Sequence, residues 1–348
     1  MTASLTIGTF NVENLFMRYK FFYSAKKKKG ETEEEAKLRE EKEREKLEEF
    51  MKKGGYYQNI KKVLEDKKEI KSGQTANTAK VILAHKPQIM VLQEVEDMDA
   101  LRAFNSNPAF LKGSYQHKIL ISGNDPRKIN VAVLSNLPIN YLRTNMDVRD
   151  PVTKKELFSR DCLEVGIGLK EGGDTVLTLF VNHFKSQYAT NAKERQDATK
   201  KRCRQADWVA NTLKERYGSD LRRGDFVVLG DFNADHDAME LQNLLKLPGI
   251  DNIVQSRPVS KLEIPGQDTV TDADRWTHYF DGENSTSQLD YILLSPSLAE
   301  KSKGEQVTIE KRGLANYAKK YTGERFLGVG KRDTEASDHC AVFTTLQV

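Results

Sequence analysis

Six short segments, spread from residue 9 to residue 339, each set an acidic, amide or imidazole side chain at the end or start of a short apolar run. They are Thr9-Phe10-Asn11-Val12-Glu13-Asn14, Val91-Leu92-Gln93-Glu94-Val95, Val181-Asn182-His183-Phe184-Lys185-Ser186, Leu229-Gly230-Asp231-Phe232-Asn233-Ala234, Gln288-Leu289-Asp290-Tyr291-Ile292-Leu293 and Ser337-Asp338-His339. Apolar runs of this length read as buried strands. A carboxylate or amide at the tip of a buried strand is costly unless it binds something. Each segment alone has a bland reading: a turn amide at Asn11, a helix-capping acid at Glu94, an Asx turn at Asp231, a surface pair at Asp338-His339. Their succession along one chain favours a single shared site.

The spacing predicts further strands at Tyr115–Ile121, Ile129–Leu134, Glu156–Leu169, Thr175–Asn182, Phe226–Leu229, Gln306–Glu310 and Cys340–Leu346. Helices are expected at Thr75–Ala84, Asp97–Phe104, Asn191–Tyr217 and Asp237–Leu244. Strands outnumber helices, and short hairpin connections mix with helical ones. That pattern predicts an α/β fold: a four-layer sandwich of two mixed β-sheets packed face to face, with flanking helices. The 348 residues are read as one domain carrying a charged insert at about 19–73. The insert is dense in Glu, Lys and Arg and lacks a sustained heptad, so a solvated helix is expected there. Its partner, if it has one, is not legible.

Cys162, Cys203 and Cys340 are odd in number and far apart, which argues against a disulfide scaffold and a zinc site. No basic-then-apolar leader and no stretch of about 20 apolar residues is visible, so a cytoplasmic protein without a membrane partner is expected. A net charge of +4 permits a polyanionic partner without requiring one.

Asn11, Glu94, Asp231, Asp290 and Asp338 offer hard oxygen ligands, which suit Mg²⁺ or Mn²⁺ better than zinc. Two histidines, His183 and His339, lie among them and titrate near neutrality in their unperturbed state. A divalent ion with carboxylates and imidazoles points to attack of water on a phosphoester.

The motifs T-F-N-V-E-N-L, L-Q-E-V-E, N-H-F-K-S, L-G-D-F-N-A, L-D-Y-I-L and S-D-H resemble those of the endonuclease/exonuclease/phosphatase superfamily, over Thr6 to about Thr345 apart from the insert. The resemblance implies a four-layer α/β sandwich with its site at one edge, between the sheets. It implies that Glu94 is the principal metal ligand, helped by Asn11, with Glu13 as a second acid and Asp338 as an auxiliary ligand. Asp231 would orient or deprotonate the attacking water, and Asn233 would hold that water or the phosphate. His339 would contact a phosphate oxygen, with Asp290 fixing its tautomer. His183 would bond the phosphate and assist the leaving oxygen. Arg160 falls where relatives carry an arginine near the phosphate, although Asp161-Cys162 departs from the Pro-rich form expected after it.

Lys185 and the basic residues of Asn191–Tyr217 form either a track for a phosphate backbone or an ordinary solvated face. A nucleic acid substrate is the leading expectation, with a lipid or small-molecule phosphoester and an inactive binding module as alternatives. His85 and His117 read as structural and His236 as a loop residue. Trp276 and Tyr279, flanking His278, would either stack on a base or pack in the core.

Overall fold

The computed structural model describes residues 3–15, 32, 34–35, 72–260 and 272–348. The chain divides into two units, Met1–Leu15 with Gly73–Val348, and Phe16–Ser72. The charged segment expected at 19–73 therefore lies almost wholly outside the described residues.

Fourteen strands follow in chain order among the described residues: β1 (Ser4–Leu15), β2 (Ile89–Val95), β3 (His117–Leu120), β4 (Asn130–Ser135), β5 (Ile139–Arg143), β6 (Arg160–Gly168), β7 (Thr175–His183), β8 (Phe226–Asp231), β9 (Asp251–Asn252), β10 (His278–Phe280), β11 (Ser285–Ser287), β12 (Asp290–Leu294), β13 (Val307–Glu310) and β14 (Ala341–Gln347). The first sheet runs β13-β14-β1-β2-β4-β3 and the second β5-β6-β7-β8-β12-β9, while β10 and β11 form a separate hairpin. Each six-stranded sheet is mixed: β1–β2 and β7–β8 are parallel and their other neighbours antiparallel.

Strand alternation assigns every second side chain to one face. Leu5 and Ile7 of β1, Ile89 and Val91 of β2, and Val131 and Val133 of β4 point to the interior between the sheets. They meet Leu163, Val165, Leu177, Leu179, Val181, Val227, Leu229 and Ile292 of the second sheet. The intervening residues Phe10, Met90, Leu92 and Phe343 face outward, onto helices α1 (Ser72–His85) and α2 (Met98–Ser106). On the other side Phe180, Phe226, Val228 and Tyr291 pack on Ala206, Val209, Ala210 and Leu213 of α3 (Ala192–Tyr217). The order helix, sheet, sheet, helix is the expected four-layer sandwich. Because both faces of its central strands are covered, those strands are apolar throughout rather than alternating with polar residues.

The helices start where their caps dictate. Asp97 accepts a hydrogen bond from Ala100 N at the head of α2, Asn191 accepts one from Glu194 N at the head of α3, and Gly218 ends α3. Two expected elements differ. The strand expected from Glu156 begins only at Arg160, because Glu156 is taken by a bridge to Arg149 while Leu157 and Phe158 turn inward under α3. The helix expected over Asp237–Leu244 is broken into a 3₁₀ turn at Met239–Leu241 and one helical turn at Gln242–Leu245. Strand β5 was not expected, since most of its residues are exposed and carry no burial signal.

Glu310 at the end of β13 has a fully buried side chain that bonds His85 Nε2 at 2.7 Å and pairs with Arg312. Burial opposes its charge, but these partners hold its carboxyl below the usual glutamate value. A lowered pKa stabilises the fold above pH 4.5, and that contribution fades as the pH falls through the folded value. Glu310→Gln should cost about 2 kcal/mol at pH 7 and less at pH 3, measured by denaturant unfolding.

The chain leaves β1 and re-enters at α1 in one place, because Gln74 Nε2 donates to Glu13 Oε2 at 3.1 Å. Replacing residues 16–72 by a short Gly/Ser linker should leave the sandwich folded with a single cooperative thermal transition. A deletion that lacks the near-ultraviolet circular dichroism of the full chain would assign that segment to the core.

Candidate active site

At one end of the sandwich the inward positions change from apolar to polar without a change of register. Along β7 the inward series Leu177, Leu179, Val181 continues to His183, and along β8 Val227 and Leu229 continue to Asp231. Along β12, Leu294 and Ile292 continue to Asp290. Arg160 pairs with His183, His183 with Asp231, and Asp231 with Asp290, so four neighbouring strands of one sheet place these residues in a single row. The opposite sheet answers with Asn11, whose Nδ2 donates to Asp231 Oδ2 at 2.9 Å across the interior.

Several backbone departures complete this edge. Glu94 has φ 66° and sits where the pairing of β2 with β4 shifts register between Leu92 and Val95. This bulge releases Glu94 from strand alternation. Asn233 has φ 52°, and Gly230 has φ 128°. A Cβ on Gly230 would stand 1.9 Å from Asn182 O, so glycine is required for β8 to lie close enough to β7 to set Asp231 beside His183.

Asp231 is the hub. It accepts from Asn11 Nδ2, from Asn233 N at 2.8 Å and from Asn233 Nδ2 at 2.9 Å, and His183 Nε2 lies 3.4 Å from its Oδ2. Burial raises its pKa and the Asp290 charge adds to the rise, against the His339 charge and the Asn11 bond. His339 Nδ1 bonds Asp290 Oδ2 at 2.9 Å. Asp290 is itself held by Thr277 Oγ1, which accepts from Asp290 N at 3.0 Å. Burial disfavours the His339 cation, yet the Asp290 and Asp231 carboxylates push its pKa well above the ordinary value. His183 goes the other way: burial first, then the Arg160 and His339 charges, hold it well below. The two imidazoles are thus driven apart, one to a cation and one to the neutral form.

The Ser337–His339 segment is fastened to β1, because Ser337 Oγ donates to Asn11 O at 2.7 Å and accepts from His339 N at 3.0 Å. Asp338 lies 3.7 Å from His278 Nε2, and its carboxyl is held well below the usual range by His278 and His339 despite burial. One ligand atom from each of Asp231, Asp290 and His339 lie within 4.8 Å of one another, as do those of His278, Asp338 and His339. The Glu94 carboxylate makes no hydrogen bond among the described residues. Burial raises its pKa, and the Asp338 and Asp231 charges raise it further against Arg160 and His339. An unanswered carboxylate beside two others is a donor set for a hard cation.

The remaining expected residues fall in three places. Arg160 is buried, with Nε 3.1 Å from Asp125 Oδ2 and Nη1 donating to Phe184 O at 3.2 Å. Lys185 is half-buried beside it, its pKa lowered by burial and by Arg160 and Arg127. Glu13 bonds Gln74 of α1 through its carboxylate, and its N donates to Asn11 Oδ1 at 3.1 Å.

Trp276 and Tyr279 are buried, with Lys311 Nζ 4.3 Å above the Trp276 ring, so they pack rather than offer a face to a base. His85 is bonded to Glu310 and stacked on Phe343, and His236 is an exposed loop residue bonded to Asp235. Much of the positive charge of α3 is spent internally, with Arg202 on Glu240, Arg204 on Asp150 and Lys201 on Glu156 O. Lys193, Arg195 and Lys200 are exposed.

Two residues, Asp125 and Arg127, escaped the sequence reading, and His278, named there without a role, lies against the site. His278 packs its ring 4.6 Å from that of His339 and pairs with it across an isolated bridge. Asp125, itself paired with Arg127, braces Arg160 from the β3–β4 loop. Asp125-Pro126-Arg127 reads as a plain turn, with no apolar run ending there to mark it.

The profile of the Endonuclease/Exonuclease/phosphatase family matches residues 58–339. The Asn11 segment lies before that match and joins it through the pairing of β1 with β2. No curated protein sequence matches the chain. Truncated TDP2 of Caenorhabditis elegans superposes with a TM-score of 0.54 at 13% identity, covering 99% of this chain and 98% of that one. Sphingomyelinase C of Streptomyces griseocarneus gives 0.53 at 17% identity and 99% of both chains. A Bacteroides thetaiotaomicron protein described as an endonuclease/exonuclease/phosphatase family protein gives 0.53 at 15%, covering 100% and 96%. At these identities the likeness is one of fold. No helix among the described residues is long and apolar enough to cross a membrane.

In metal-free buffer, histidine NMR should find His339 titrating above an ordinary imidazole and His183 below it. Asp290→Asn should bring the His339 titration down toward neutrality, because the carboxylate that favours the cation is gone. An unmoved His339 titration would remove Asp290 as the cause.

Proposed function

The chain belongs to the endonuclease/exonuclease/phosphatase family, and from that membership we propose that it is a divalent-metal-dependent phosphodiesterase that cleaves DNA or RNA. The reading is carried by the row Arg160–His183–Asp231–Asp290, faced by Asn11 and capped by His339. Such a row joins a base, an electrophilic cation and a neutral hydrogen-bond donor within a few ångströms.

The donor set fits Mg²⁺ or Mn²⁺. Glu94 would hold the ion, with the second lone pair of Asn11 Oδ1 and the low-pKa carboxylate of Asp338 beside it. Bound there, the ion would polarise a phosphoryl oxygen and offset its developing charge.

The chain's own groups supply the rest. Asp231, fixed by three hydrogen bonds, is the group to orient a water and take its proton, and its raised pKa suits a base. Asn233, braced on Asp231 and Phe184 O, limits where that water or a phosphate oxygen can sit. His339, kept cationic by Asp290, donates through Nε2 to a phosphoryl oxygen. His183 is neutral, so its contribution is a hydrogen bond to the phosphate or leaving oxygen rather than an ionised acid. Pairs of titratable groups pushed apart in this way divide acid from base work at one pH.

Asp231→Ala and His339→Ala should each lower kcat about 10²- to 10⁴-fold on plasmid, linear DNA or RNA while leaving the thermal transition in place. EDTA should abolish activity, and Mg²⁺ or Mn²⁺ should restore it. Turnover of sphingomyelin vesicles without cleavage of any nucleic acid would replace this reading by a lipid phosphoesterase. No turnover of either class, nor of bis(p-nitrophenyl) phosphate, would leave a binding module.

A further inference from the structure

The row of functional residues ends beyond His183 at Arg160, which is braced by a loop of the other sheet. The loop from residue 121 to 128 leaves the first sheet and lies directly on the backbone of the second. A Cβ on Gly123 would stand 2.9 Å from Ser159 O and 3.4 Å from Arg160 Cα. Asn124 Nδ2 ties the loop down by donating to Met146 O at 2.8 Å and Phe158 O at 3.2 Å. Gly123 N donates to Asn130 Oδ1 at 2.8 Å and closes the loop on its own strand. The loop is therefore mounted on the stretch that supplies Arg160.

What it presents there is Asp125 and Arg127. Asp125 is shared: Arg160 Nε lies 3.1 Å from Oδ2, while Arg127 N and Nε donate to Oδ1 at 2.9 and 3.3 Å. The Arg127 side chain remains 54% exposed. Through Asp125 it is joined to Arg160, the first residue of the row. The Lys185 ammonium makes no hydrogen bond or ion pair among the described residues, and its main chain is pinned by Gln205 Oε1 and Arg202. Lys201 adds a fourth cation, bonded to Glu156 O. Three acids on the outer side have partners of their own: Asp150 has Arg204, Glu156 has Arg149, and Glu194 accepts from Thr190. Asp125 is the acid that pairs with both Arg127 and Arg160, the Glu94 and Asp231 charges also act on Arg160, and no acid among the described residues pairs with Lys185.

Partly buried like charges repel, and the arrangement is costly unless an anion joins it. Arg160 is the inner cation, in the row with His183 and Asp231. Arg127 is the outer one, displaced from the row and open to solvent. We propose that Arg127 and Lys185, organised by Asp125, form a subsite for a phosphate next to the one cleaved, so that the preferred substrate is a polyanionic nucleic acid strand. This inference rests on the nuclease reading above and narrows it. A phosphodiester whose headgroup ends in a quaternary ammonium brings a cation, and these three cations would oppose it. A strand brings a further phosphate at each nucleotide, and a flanking phosphate falls outside the row when the cleaved one is within it.

Binding of a fluorescein-labelled single-stranded DNA 12-mer, followed by anisotropy with metals chelated, tests this directly. The slope of log K against log salt should fall by about 0.7 in Arg127→Ala and recover in Arg127→Lys. With Mg²⁺ present, the ratio of kcat/KM on the 12-mer to that on bis(p-nitrophenyl) phosphate should fall about tenfold in Arg127→Ala. If Arg127→Ala does not fold, Arg127→Gln compared with Arg127→Lys gives the same reading, since both side chains can still donate to Asp125. An unchanged slope and ratio, in a protein whose wild type cleaves nucleic acid, would overturn this inference alone. A wild type that cleaves neither DNA nor RNA would overturn the nuclease reading, and this inference with it.

Discussion

Everything in this molecule follows from the two sheets sharing one interior. The inward residues of five strands are locked in register by apolar contacts, Leu5, Ile7, Ile89 and Val91 against Leu179, Val181, Leu229 and Ile292. Slipping any strand by one residue would turn its whole apolar set outward. The same lock aims the next inward residue of each strand into the space at the sandwich edge. Asn11, His183, Asp231 and Asp290 are held in place by the core behind them rather than by long loops. Fixed groups of this kind need no reorganisation when a charge develops in front of them.

Where strand geometry fails to aim a residue, the chain departs from it locally. The bulge at Glu94, the left-handed backbone at Asn233 and the close approach at Gly230 are all at this one edge. Non-glycine residues in the left-handed region each carry a cost, and such costs gather where function requires a particular direction. The electrostatics are divided in the same sense. Carboxylates crowd around Glu94 and Asp231, and guanidinium and ammonium groups crowd around Asp125. The two histidines lie in the field between them, and their pKa values are pushed in opposite directions.

Much of this could be read from the chain. The six motif segments named Asn11, Glu94, His183, Asp231, Asn233, Asp290 and His339, because a polar residue ending an apolar run is conspicuous. The four layers were legible because strands outnumber helices and short hairpin connections mix with helical ones. The exposed strand β5 was not, since nothing buried marks its period. Trp276 and Tyr279 left two readings open that burial alone decides. The basic helix α3 left a phosphate track and a solvated face equally open, and Arg202 and Arg204 turn out to be taken by Glu240 and Asp150, which lie far from them in sequence.

The sequence by itself determined which residue types would carry chemistry and which strands would be buried, since hydrophobic periodicity and motif composition are local properties of a chain. Only the tertiary structure decided that His278 lies against His339, that Asp125 couples Arg127 to Arg160, and that the pKa of His339 is pushed up and that of His183 down. Those outcomes depend on which charges come within a few ångströms of one another and how much water is excluded between them. Coulombic and desolvation energies are set by distance and burial through space, and no spacing along the chain contains either.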